Sequence, residues 1–255
     1  MSNVFSRKIL GVADGVYEYN GWVIQCDWNF ENPNIQIINC NLTDQDIYLD
    51  LEDIAVVFKS NTKIKVGLAF KLENPNHNVI INCGSNLISL QCKKEFYLSC
   101  DTLELKSLPN GPTPFGVIGV TLAGKINCKH LKFPDYKLVN DYQRCVWIMH
   151  NTFENSDIVE INNTDYIDYI GRCAFKGCKH LKSIQIDFNI LKDNAFENSG
   201  IEQIRVMSNR RDKRTYARYM KWAFKGTPAE KYWNDTQIEE AWPLIKENYI
   251  KPYTA

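Results

Sequence analysis

Ile170-Gly171-Arg172-Cys173-Ala174-Phe175-Lys176-Gly177-Cys178-Lys179-His180-Leu181-Lys182-Ser183-Ile184-Gln185-Ile186 is the stretch whose reading decides the fold. Its first half sets an Ala-Phe pair before a charged residue and a Gly. Its second half, Leu181-x-x-Ile184-x-Ile186, ends on an apolar-polar alternation, the period-two signature of a short strand whose apolar side chains all point one way. The phrase recurs. Thr152-Phe153, Ala174-Phe175, Ala195-Phe196 and Ala223-Phe224 are each followed by a charged residue and then Gly or Asn, with Phe-to-Phe steps of 22, 21 and 28 residues. Ile201-x-x-Ile204-x-Val206 repeats the strand half, and Ile158-x-x-Ile161 repeats part of it. Such a period belongs to stacked repeats rather than to a helix or a hairpin. Each Phe is expected to fill the interior of one coil, with a small residue before it where two backbones approach closely.

The pattern resembles the BspA-type branch of the leucine-rich repeat family, whose units read roughly I-x-x-x-A-F-x-x-C/S-x-x-L-x-x-I-x-I. The copies at Ile170–Ile186 and at Asn194–Val206 carry the resemblance, which covers residues of about 145 to 228. It implies a β-rich α/β solenoid, a stack of short strands. An echo extends it upstream: Cys128-Lys129-His130-Leu131-Lys132 returns unchanged as Cys178-Lys179-His180-Leu181-Lys182, which places a coil boundary near residue 128. Weaker relatives, each a Cys shortly before an apolar run, begin at Cys40, Cys83 and Cys100.

Three regions follow from this reading. Residues 1–108 are β-rich, either degenerate repeats or a separate domain; 117–228 are the repeat region; and 229–255 form a helical C-terminal cap. Pro109-Asn110-Gly111-Pro112-Thr113-Pro114-Phe115-Gly116 separates the first two, because three prolines in six residues exclude a helix or a central strand. In the last region Thr236-Gln237-Ile238-Glu239 has the form of a capping box, with Ile238, Trp242, Ile245 and Tyr249 on one helical face and Pro243 as a kink. A solenoid end exposes an apolar cross-section that such an element covers.

Chemistry-bearing motifs are sparse. The nine cysteines are odd in number and contain no C-x-x-C pair, so free, buried thiols are expected rather than disulfides or zinc. Cys145, His150 and Asp141 lie too close in sequence to converge as a thiol-hydrolase set. Asp165 and Asp168, beside Tyr166 and Tyr169, are read as turn formers. No catalytic residue, metal ligand or cofactor is expected. No apolar run is long enough to span a membrane, and the run Ile9-Leu10-Gly11-Val12 behind Arg7-Lys8 is too short for a signal-peptide core. The expected location is therefore cytoplasmic, or a virion if the chain is viral.

Zero net charge conceals segregation. Residues 1–53 carry two cations and nine anions, 54–140 carry eleven and five, and 201–225 carry eight and two. On the repeats, Val159, Glu160, Lys182, Ser183, Gln185, Glu202, Gln203 and Arg205 are the outward side chains, expected in register on one sheet. Next to them the final repeat is longer by about seven residues, in a basic and aromatic insertion at 209–222 with Arg210, Arg214, Tyr216, Arg218 and Tyr219. The resemblance implies a non-enzymatic protein-binding module that presents this surface to a protein partner. The alternative is a structural component of a virion or other large particle that self-associates through its ends. Nucleic acid is the less favoured partner of the insertion, and no membrane is expected.

Overall fold

The computed structural model describes residues 15–27, 34–42, 44–58, 64–84, 87–109, 119–134, 146–186, 190–206 and 222–232. They begin with an antiparallel hairpin, β1 (Gly15–Tyr19) and β2 (Trp22–Asp27), turned at Asn20-Gly21. Both turn residues have positive φ, 46° and 82°, as a two-residue hairpin turn of this hand requires. β2 pairs antiparallel with β3 (Asn34–Cys40). Every later pairing is parallel. β5 (Ile64–Leu68), β7 (Leu87–Cys92), β9 (Val120–Leu122), β11 (Val146–Ile148), β13 (Ile167–Ile170) and β15 (Ile190–Leu191) extend that sheet to nine strands, in the order β1-β2-β3-β5-β7-β9-β11-β13-β15.

The strands between them build the other wall. β4 (Ile47–Asp50), β6 (Lys71–Asn82), β8 (Tyr97–Leu105), β10 (Lys125–Lys132) and β12 (Glu160–Asn162) form a five-stranded sheet, while β14 (Ser183–Ile186) and β16 (Gln203–Val206) pair with each other. Each coil thus contributes one strand to each wall, and neighbouring coils hydrogen-bond to each other: a β-solenoid. α1 (Leu51–Phe58) links β4 to β5; the Asp50 carboxylate caps it, accepting the Glu52 and Asp53 amides at 2.9 and 3.2 Å. On either side of the Pro/Gly stretch the same sheets continue, since β7 pairs with β9 and β8 with β10.

Strand alternation fills the interior with columns of one residue per coil. Ile35, Val66, Leu90, Val120, Val146 and Ile167 are in register across six strands, all buried. The corners after β5, β7, β11, β13 and β15 carry aromatic residues. Phe153, Phe175, Phe196 and Phe224 are fully buried and stack at 5.1, 5.2 and 4.7 Å, with ring planes within 7° of parallel. Upstream, Trp22, Phe70 and Phe96 continue the series with tilted and edge-on contacts at 5.3 and 5.1 Å. The coil between the two groups has Ala123-Gly124 at this corner. There a Cβ on Gly124 would stand 2.1 Å from the Phe96 carbonyl oxygen.

The Gly-or-Asn position after each Phe has a backbone cause. Asn155, Gly177, Asn198 and Gly226 have φ of 59°, 73°, 56° and 71°, the left-handed region that only Gly and, at lower cost, Asn adopt routinely. Two residues before the Phe, Asn151, Cys173 and Asn194 are left-handed as well. Cys173 is therefore a corner residue, half-buried, and not the interior filling that the cysteine count implies.

Other local readings also change. The identical pentapeptides fold differently: Cys128–Lys132 lies in β10, whereas Cys178–Lys182 forms the turn before β14. Cys128 and Cys178 are both buried, but Leu131 pairs with Ile161, the counterpart of Ile184 rather than of Leu181. Asp168 lies within β13, not in a turn, and accepts the Trp147 indole N–H at 3.2 Å. The expected capping helix at 236–249 lies outside the described residues.

Candidate functional site

The outward ladder of the repeats divides into two pieces. β14 and β16 are in register, Ser183 beside Gln203 and Gln185 beside Arg205, with Ile184 and Ile204 buried between them on the opposite face. Lys182, Ser183, Glu202 and Gln203 are exposed, and Gln185 is half-buried. Lys182 Nζ and Glu202 Oε1 form a 3.0 Å ion pair, with both side chains more than half exposed. Glu160, however, belongs to β12, whose partner is β10; there it faces His130, 3.6 Å from Nδ1. Among the described residues β12 and β14 are not paired, so the expected single in-register sheet is broken between them. The connection from β12 to β13 explains the break. Asn163 takes a left-handed conformation, its side-chain amide donates to the Phe133 and Pro134 carbonyls, and Thr164–Tyr166 turn in a 3-10 helix against β14.

Val159 remains exposed beside Glu160. Arg210, Arg214, Tyr216, Arg218 and Tyr219 lie outside the described residues. Trp222, at the end of that insertion, is 51% exposed, the most exposed aromatic side chain among the described residues.

Charges pair from coil to coil. Lys129 Nζ reaches Asp101 Oδ1 at 2.8 Å, and this hydrogen bond holds the Asp101 carboxyl below the usual carboxylate range. Lys176 bonds to Glu197 at 2.9 Å, one coil on, which raises the lysine's pKa. His150 has a structural role: Nδ1 accepts the Arg172 amide at 2.7 Å, and its ring meets Tyr169 edge-on at 6.3 Å. Cys145 and Asp141 lie outside the described residues. Among the described residues no group of three or more His, Cys, Asp or Glu could hold a metal ion, and no helix is long and apolar enough to cross a membrane.

Buried thiols line the core. Cys92 and Cys178 are pushed up to about 12, chiefly by burial. Cys128 is raised by its hydrogen bond with Cys100, its register partner, and by burial. These groups stay protonated and pack as small apolar residues.

The architecture of the described residues is that of a β-solenoid with an outward-facing polar ladder. Residues 127–224 match the family model described as the BspA type Leucine rich repeat region, in six copies. The match begins at the first of the duplicated pentapeptides. Repeats of this family are typically non-enzymatic and suggest a protein-interaction module. Neither the curated proteins nor the solved structures gave a significant match.

Proposed function

We propose that the chain is a non-enzymatic protein-binding module that presents the outer face of β14 and β16 to a protein partner. The supporting observation is the separation of the two faces of that strand pair. Ile184 and Ile204 anchor the inner face in the core, while Ser183 and Gln203 stand exposed in register on the outer one, with the exposed Lys182–Glu202 ion pair beside them. Side chains on such a face can vary without disturbing the fold, and the strand ladder holds their spacing near 4.8 Å. The basic insertion at 209–222 follows β16 in sequence.

The test is a pair of charge-reversed variants, Lys182→Glu with Arg205→Glu and Arg214→Glu with Arg218→Glu. Each is used as bait once its thermal melt matches wild type. The reading expects both to lose a partner that the wild-type chain captures. Retention by both variants would refute the site, and concentration-dependent multimers without a partner would favour the assembly reading.

A further inference from the structure

Two of the buried thiols stand side by side in the core. Cys100 in β8 and Cys128 in β10 are register partners on adjacent parallel strands, 3% and 1% exposed. Parallel neighbours lie about 4.8 Å apart, inside the roughly 4.4–6.8 Å between Cα atoms that a disulfide spans. The two thiols also share a hydrogen bond. Among the described strands no other cysteine is in register with a second one: Cys26 is opposite Gly15 and Ile35, Cys40 opposite Trp22, and Cys92 opposite Leu68. Cys178, which also lies near Cys128, donates its Sγ–H to the Phe153 carbonyl at 3.0 Å.

We infer that Cys100 and Cys128 form a redox pair, which closes to a disulfide under peroxide and clamps β8 to β10. The position of the pair gives the clamp its consequence. β8 ends at Leu105 and β10 begins at Lys125, with Pro109–Gly116 between them. The bridge therefore ties the N-terminal coils to the matched repeats by a second covalent link, in addition to the backbone that passes through that stretch.

The chemistry balances with hydrogen peroxide as the oxidant. One thiolate attacks a peroxide oxygen, the O–O bond breaks, and hydroxide leaves and takes up the proton which that thiol has lost, as water. The second sulfur then attacks the sulfenic acid, the S–S bond forms, and the hydroxyl departs with the second thiol's proton as another water. Two thiols have lost two electrons and two protons, and one peroxide has become two waters. Peroxide is close to water in size and so suits a buried pair, whereas a bulkier alkylating reagent needs the core to open. The hydrogen bond with Cys100, together with burial, keeps the Cys128 thiol protonated. Closure is therefore slow at neutral pH and quickens as pH rises.

The test treats the folded full chain with hydrogen peroxide, quenches it with N-ethylmaleimide in urea without reductant, and maps the peptides by mass spectrometry. The expected product links the Cys100 and Cys128 peptides, lighter than their sum by two hydrogens, and dithiothreitol separates them. The bridge closes a loop of about 28 residues, so the oxidised chain should melt about 5–10 °C above the reduced one. Cys100→Ala and Cys128→Ala should each lose both the linked peptide and the shift. Should either variant fail to fold, the wild-type map decides by itself: Cys100 and Cys128 recovered unlinked, or Cys128 linked to Cys178 instead, overturns the inference. A linked pair with no upward shift of the melt overturns the clamp. Peroxide added to the urea-unfolded chain should scatter its bridges among the nine cysteines. An equal yield of the Cys100–Cys128 bridge there would also count against the pair, because strand register would then not be what brings the two sulfurs together.

Discussion

Replacing Phe196 by Ala removes a ring from inside a four-ring stack, and the structure sets the size of the loss. Phe196 is fully buried, with Phe175 at 5.2 Å on one side and Phe224 at 4.7 Å on the other, both nearly parallel. Truncating a buried Phe costs about 3–5 kcal/mol, the transfer of the ring plus the cavity left behind. The planar stacking adds a coupling of about 0.5–1.5 kcal/mol per ring pair. For a chain of this size the truncation alone should lower the melting temperature by about 6–20 °C, and the lost ring coupling adds to it. Phe153, whose ring contact in the stack is with Phe175 alone, should lose less when truncated. The assay is urea unfolding followed by circular dichroism for Phe196→Ala, Phe153→Ala and the Phe175→Leu/Phe196→Leu double-mutant cycle. A Phe196→Ala midpoint within error of wild type, or a coupling of zero in the cycle, would refute the stacked-ring account.

Cys173 takes φ of 56° at a corner where the neighbouring coils use Asn151 and Asn194, so Cys173→Asn should raise stability by about 0.5–1 kcal/mol; a lower urea midpoint would contradict it. The thiols give a pH dependence. Cys92 and Cys178 lose their protons near the ordinary 9.0 when unfolded and near about 12 when folded, so the protonated folded state is fully favoured below 9 and loses that advantage as pH climbs toward 12. The urea midpoint should therefore be flat with respect to these groups at neutral pH and fall above 9, less steeply in a Cys92→Ala/Cys178→Ala double variant. Alkylation of native protein should be fastest at the half-buried Cys173 among the described cysteines, whose other members react only on unfolding.

The coils from residue 146 onward were legible because their inward residues recur at nearly constant spacing. Upstream the same corner is filled by Phe70, Phe96 and then Ala123-Gly124, and connections of differing length separate them, so no period survives in the sequence although the sheets are continuous. The break between β12 and β14 had no sequence signature, because it arises from the left-handed Asn163 and the 3-10 turn behind it. Side chains that share a strand are read along the sequence, while those that share an edge are read across it.

The left-handed corner after each Phe alternates Asn155, Gly177, Asn198, Gly226, and the residue before it alternates Glu154, Lys176, Glu197, Lys225. A Cβ on Gly177 or Gly226 would come within 2.1 Å of the amide oxygen of the Asn one coil earlier, so the large member of each pair rests on the small one. The charges likewise meet as opposites, as Lys176 and Glu197 do at 2.9 Å. The repeating unit of this column is thus two coils long. Excising or duplicating one coil would bring Asn onto Asn or Gly onto Gly and set like charges side by side, whereas adding or removing a pair would restore both alternations. An array of this kind can change length without penalty only in even steps.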